Sequence, residues 1–225
     1  MSTVFGTRPD LDTEAIAKFV EMADVMSLSC VVSDALVRTG TMRSDIKPRA
    51  ADRKIIGPAL TVKLTAGDIV DCLDIFTVAQ PGDVVVIDAF GDTETSIWGG
   101  LMSGLARNAG VVGAVIDGSA RDVDEARFLD FAISSKAVGP RQAHTAISGR
   151  REPLEINVPI SCGGIIVQPG DLVVADEIGV AVVPHGELGE VYPRARTIAD
   201  NESAMRELIV QGATFQDLLD KFGRI

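Results

Sequence analysis

Apolar positions along this chain change period several times, and each change marks an element. Over residues 12–25, DTEAIAKFVEMADV, they recur at helical spacing behind Asp12 and Thr13, either of which can cap a helix. A second helix is predicted over 27–36. Residues 38–55 are polar and rich in breakers, so they read as a loop. The period then falls to two. Leu60, Val62 and Leu64 alternate within 57–68, the mark of a strand, and Asp68 is placed to cap a helix running to about Ala79. Residues 96–110 are predicted helical from Ser96 as cap to Gly110 as stop, 111–118 a strand ending in a turn, and 122–131 a short helix. The stretch 156–183 is strand-rich, and 187–222 is mostly helix, broken near Pro193 and Gly212.

One pattern occurs twice. QPGDVVVIDA (80–89) and QPGDLVVADE (168–177) each carry a Pro-Gly turn, an Asp, a β-branched run and a terminal Asp. Pro-Gly fixes a turn and Val/Ile runs favour a buried strand, so two related strand layers are expected to pack together. No linker interrupts the chain. The expectation is one α/β domain over residues 1–225, with a β-rich core and outer helices.

Composition narrows the function. At 225 residues with 46% apolar and 24% charged residues, the chain has enough material for a substantial core. Its 22 glycines and 4% aromatics favour tight turns around an aliphatic interior. The net charge of −11 comes with no Lys/Arg cluster, which excludes nucleic acid and anionic membrane as expected partners. The same acidity means that an anionic substrate needs an arginine or a metal ion to offset the background field. Cys30, Cys72 and Cys162 are odd in number and widely spaced, as expected of reduced thiols in the cytoplasm. The first residues show no secretory pattern, and no apolar run approaches the roughly 20 residues that span a bilayer.

The densest candidate chemistry is DGSARDVDEARFLD, residues 117–130. Asp122 followed by Glu125 fits a capping box, in which both acids serve backbone amides at a helix start. Upstream, WGGL (98–101) sits at or near another helix start, where Gly99 and Gly100 let the backbone approach a ligand and free amides attract anions. The strand after that helix returns to Arg121, so the two stretches can share a crevice at a sheet's carboxyl edge. Backbone amides plus Arg121 would make a carboxylate clamp, and Asp122 could hold a divalent cation. Cap and ligand site both remain open on these residues.

Gly100, twenty intervening residues, then Arg121-Asp122-x-x-Glu125 form the pattern G-x20-R-D-x2-E/D. With SDAL (33–36), PGDVVVIDAFG and GGIIVQPGDLVVADEIGVAVVP, it resembles the class II 4-hydroxy-4-methyl-2-oxoglutarate / 4-carboxy-4-hydroxy-2-oxoadipate aldolases, whose fold also houses the regulators of RNase E activity A. The resemblance implies an α/β/β/α swivelling-type domain, assembled as a homotrimer or a hexamer with active sites between subunits. It implies that Arg121 binds the substrate carboxylate and polarises a water, that Asp122 is the direct Mg²⁺ or Mn²⁺ ligand, and that Glu125 supports it. Backbone amides around Gly99, Gly100, Leu101 and Met102 would complete a pyruvate site, with Glu202 reaching in from a neighbouring subunit. Where the aldolases place an acid after Trp-Gly, this chain has Gly100, as the regulators do. The activity implied is cleavage of 4-hydroxy-2-oxo dicarboxylic acids to pyruvate, with oxaloacetate decarboxylation. Both leave an enolate whose charge a divalent cation can offset. The alternative is a non-catalytic regulator that binds an RNA-degrading enzyme.

Other polar residues are expected to be structural. Asp176 reads as a turn or cap residue, while Asp88 could line the crevice. Asp68, Asp71 and Asp74 read as a cap and a wet helix face. His144 and His185 lack ligand spacing, and Trp98 reads as a packing anchor. Lys63 could form a Schiff base, but nothing near it in sequence would lower its pKa.

Overall fold

The computed structural model describes residues 3–65, 72–143 and 153–223; Asp68, Asp71 and His144 lie outside them. Two short strands, β1 (Val4–Phe5) and β2 (Lys47–Ala50), bound a sheet whose middle is four parallel strands. These are β3 (Ile55–Lys63), β4 (Val84–Trp98), β5 (Gly113–Ala120) and β6 (Ala132–Val138), with β7 (Glu155–Ile156) between β1 and β3. A second layer holds the hairpin of β8 (Ile160–Cys162) and β9 (Ile165–Val167) and the antiparallel pair β10 (Leu172–Ala175) and β11 (Val180–Val183). Strand β3 belongs to both layers: Ile55–Pro58 pair with β10, and Ala59–Lys63 pair with β4.

Period-two alternation builds this stack. In β4, Val84 and Val86 face the second β layer, against Val173 and Val182. Val85 and Ile87 face outward, into a core shared with α3 (Gly100–Asn108) and α4 (Val123–Phe128). In β10, Val173 and Ala175 point inward, and Leu172 and Val174 meet α1 (Thr13–Val20), α2 (Leu28–Ala35) and α5 (Leu188–Val210). The order helix, sheet, sheet, helix is the expected α/β/β/α arrangement. It follows from strands that are apolar on both faces. A last helix, α6 (Phe215–Phe222), has a Thr214–Asp217 capping box.

The two QPGD repeats fold alike. Gln80 N donates to Asp83 Oδ2 at 2.8 Å, and Gln168 N donates to Asp171 Oδ2 at 2.7 Å. Each buried carboxylate then takes a different second partner: the Arg8 fork at 2.6 and 2.8 Å, or His185 through N and Nδ1. Asp176 has the structural role expected of it. It accepts from Ser29 N and Oγ at the start of α2, and from Ile178 N in its own turn. Lys63 is paired with Glu155 at 2.9 Å.

Four expectations are corrected. The loop 38–55 contains β2, an edge strand whose polar residues are stitched to β6 by Arg49, donating to Ser135 O and Lys136 O; edge strands are commonly polar. Ser96 does not cap α3 but lies in β4, which continues to Trp98, and Gly99 occupies the N-cap. The described end of the helix expected after Asp68 is a 3₁₀ turn, Leu73–Thr77. Helix α5 passes through Pro193 without a break. Only one hydrogen bond is forfeited there, and Val191, Ala195 and Ala199 keep the helix buried on both sides.

Candidate active site at the Gly99–Gly100 turn

Strand β4 needs eleven residues, Asp88 to Trp98, to pass the four residues Asp117 to Ala120 of β5, because three irregularities bulge it outward. It thereby delivers Gly99 and Gly100 beside the end of β5, where Arg121 begins the next turn. Arg121 N donates to Trp98 O at 2.8 Å, closing the two strand ends together.

The side chains that follow do not form the expected capping box. Asp122 is at the N-cap of α4 but in the left-handed region, φ +51°, and its side chain makes no cap bond to its own helix. Its Oδ2 instead accepts Gly100 N, the first residue of α3, at 3.2 Å, and lies 3.2 Å from Arg121 Nε. Glu125 does not reach back to Asp122. Its carboxylate lies over Gly100, where a Cβ would fall 1.9 Å from Oε2. A Cβ on Gly99 would fall 2.7 Å from Asp122 Oδ2 and 3.2 Å from Arg121 Nε. The Gly-Gly pair is therefore required by the approach of three charged side chains. It is a backbone surface onto which a guanidinium and two carboxylates close.

Five of the residues singled out in the sequence thus converge: Gly99, Gly100, Arg121, Asp122 and Glu125. Leu101 follows on the first turn of α3 with 80% of its surface exposed, and the Met102 side chain turns into the core. Arg121 and Asp122 have 35% and 41% of their side chains exposed. Glu202 lies on α5, in the helical layer across both sheets from α3 and α4, and is bonded to Arg206. Asp88 points between the sheets, where Phe90 N and Ser161 N donate to it. Burial raises the Asp88 pKa, and Asp117 on the neighbouring strand adds to the shift. Burial likewise pushes the Cys162 thiol well up, so it stays protonated. Trp98 is the packing anchor expected, stacked on Phe131. Ser103, bonded to both Trp98 and Gly99, was not singled out, because no motif or periodicity marks it.

The donor set fits a hard divalent cation. Two carboxylates from α4 and its N-cap meet at one turn, and Mg²⁺ is usually held by one or two carboxylates with water completing its shell. No group of three or more His, Cys, Asp or Glu residues with metal-site geometry occurs among the described residues.

The sequence profile of the RraA-like family, Aldolase/RraA, matches residues 29–182, a span that contains this turn and all three charged residues. The chain belongs to that family. A relative from Halalkalibacterium halodurans, called "Putative 4-hydroxy-4-methyl-2-oxoglutarate aldolase", is 37% identical over 205 residues, 86% of this chain and 95% of its own. Among solved structures, an uncharacterized protein from Pseudomonas syringae pv. tomato superposes with TM-score 0.80 at 27% identity, covering 96% of this chain and 98% of its own. RraAS2 of Streptomyces coelicolor, described as an unusual member of the RNase ES inhibitor RraA protein family, does so with TM-score 0.72 at 25% identity, covering 88% and 99%. Relatives of this family therefore carry both aldolase and inhibitor descriptions. No helix among the described residues is long and apolar enough to cross a membrane.

Proposed function

We propose that this protein is a divalent-metal lyase that cleaves 4-hydroxy-2-oxo dicarboxylic acids to pyruvate and a carbonyl product, and that decarboxylates oxaloacetate. The observation that carries this reading is Asp122. An aspartate side chain whose only task was to start α4 would bond amides of that helix. This one leaves those amides and leans to the start of another helix beside a guanidinium.

In this reading the Nε of Arg121 is set by Asp122, and the remaining N–H groups of its fork grip the substrate carboxylate. Amides at the start of α3 complete that carboxylate site. Asp122 is the residue that would hold Mg²⁺ or Mn²⁺, with Glu125 supporting it. When bound, the cation supplies the positive charge against which the pyruvate enolate develops as the C–C bond breaks. Arg121 also orients a water that takes the proton of the C4 hydroxyl in aldol cleavage and, in both reactions, gives one to C3 of the pyruvate enolate. The half-exposed pair calls for a cover that excludes water. A homotrimer or hexamer with sites between subunits provides one, and Glu202 is the acid a neighbouring subunit would contribute. Likeness to an RNase ES inhibitor family member supports a second reading, a regulator that binds an RNA-degrading enzyme without chemistry.

Pyruvate release from oxaloacetate, with Mg²⁺ and with EDTA, separates the two. Metal-dependent turnover supports the lyase. Its absence, at protein concentrations where a contaminant would be detected, removes the lyase and leaves the regulator.

A further inference from the structure

Trp98 is the chain's only tryptophan and is completely buried, its ring parallel to Phe131 within 9° at 5.9 Å. A buried indole needs a partner for its N–H. Nε1 donates to Ser103 Oγ at 3.0 Å, and that hydroxyl donates onward to Gly99 O at 3.0 Å. Gly99 O also accepts Ser103 N at 3.0 Å. On its other side, Trp98 O accepts Arg121 N. One residue thus ties together both halves of the candidate site: the glycine turn through its indole and the arginine through its carbonyl.

The turn needs this. Gly99 and Gly100 have no side chains to restrain them, and Gly99 caps α3 without a side-chain bond. Asp122 and Glu125 press on the turn from outside, but both belong to the ligand-facing set. Among the described residues, the restraint on its carbonyl from the interior is Ser103, which is fully buried and bonded to Trp98 and Gly99.

We infer that Ser103 is a positioning residue. Coupled to Trp98, it fixes the angle at which the Gly99–Gly100 turn and Arg121 together face a carboxylate ligand, and it makes Trp98 an optical reporter of that site. Neither residue touches the ligand. The catalytic readout of this inference rests on the lyase reading, but the optical readout does not. An amide cradle grips a carboxylate equally in ground and transition states, so loosening it raises KM and leaves kcat nearly alone.

The experiment titrates pyruvate with Mg²⁺ present, following Trp98 emission, in wild type, Ser103→Ala and Ser103→Thr. Oxaloacetate kinetics are measured on the same proteins and on Trp98→Phe and the Trp98→Phe/Ser103→Ala double variant. Ser103→Ala is expected to shift Trp98 emission before any ligand is added. It should raise KM and the pyruvate Kd about tenfold, the weight of one net hydrogen bond, with kcat within roughly twofold. Ser103→Thr, which keeps the hydroxyl, should restore both constants. The double variant should cost no more than the larger single one, because both break one chain of bonds. Wild-type KM and Kd in Ser103→Ala overturn the inference, as do additive effects of Trp98→Phe and Ser103→Ala. Wild-type turnover with Trp98 silent to pyruvate also overturns it. A pyruvate response of Trp98 that Ser103→Ala weakens, without turnover in any protein, supports the positioning role and removes the lyase. If wild type neither turns over nor responds, both fall.

Discussion

Glu125 and Gly100 occupy one space: the carboxylate of the first fills the volume that any side chain on the second would enter. Gly100→Ala is therefore expected to displace Glu125 and to cost far more activity than stability. An alanine in a helix is otherwise favoured over glycine by about 1 kcal/mol. The Gly100→Ala/Glu125→Ala double variant should accordingly melt at or above Glu125→Ala. Thermal melts and oxaloacetate turnover on the three proteins check this, and a double variant that melts below Glu125→Ala contradicts it.

Arg121→Lys should lose most metal-dependent turnover while keeping the fold. A lysine supplies a point charge in place of a planar fork that can face Asp122 and a ligand carboxylate together. The Arg121–Asp122 pair is exposed enough that its own contribution to stability is about 0–1 kcal/mol. Activity near wild type in Arg121→Lys would assign the carboxylate to another residue.

Asp122 occupies the left-handed region, which Asn tolerates well. Asp122→Asn should thus fold normally and still reach Gly100 N with its side-chain oxygen, yet lose the response to Mg²⁺. Asp122→Ala should lose the same response and add the cost of that backbone conformation, about 1 kcal/mol. Turnover with an unchanged Mg²⁺ dependence in Asp122→Asn would reduce Asp122 to a structural residue.

Asp88 gives a pH-dependent outcome. Its folded pKa is raised above the ordinary 3.8, first by burial and then by Asp117, so the folded state holds the proton more tightly than the unfolded chain. The stabilisation from this group is complete below pH 3.8 and is lost as pH rises through the raised folded value. Asp88→Asn removes that loss. Its urea midpoint, measured relative to wild type, should climb as pH is raised from about 3.8 toward neutrality. A relative midpoint that is flat or falls over that range would contradict the raised value.

Arg8 and Asp83 form a two-bond pair in which the carboxylate is wholly buried. Arg8→Ala should cost about 3 kcal/mol by leaving that charge without its cation. Lys18→Ala, removing an exposed and solvent-screened pair with Glu14, should leave the melt close to wild type. Denaturant melts of the two variants compare them directly.

Much of this was legible in the residues. The β-branched runs of 84–87 and 172–175 read as strands because both faces of each are buried, and the repeated QPGD turned out to build the same turn twice. Gly100, Arg121, Asp122 and Glu125 were readable as a set by spacing. What local sequence could not show was the partner of each carboxylate. Asp122-x-x-Glu125 has the form of a capping box, and only the bulges of β4, which bring Gly99 and Gly100 alongside, offer both acids a different neighbour. The end of β4 was misplaced for a related reason. Ser96 has the chemistry of a cap, but its hydroxyl is taken by Ala120 O and Gly139 O across the sheet. Strand β2 was missed because its only apolar residues are Pro48 and Ala50.

Strand β3 is split lengthwise between two sheets, giving its first residues to β10 and its last to β4. It works as a seam: neither sheet is closed until the same nine-residue strand has been laid into both. The repeats that built the two layers cannot, on this arrangement, be cut apart into independently folding halves. A proteolytic nick between Ala59 and Lys63, or a proline added there to the native Pro58, should melt the whole stack at once.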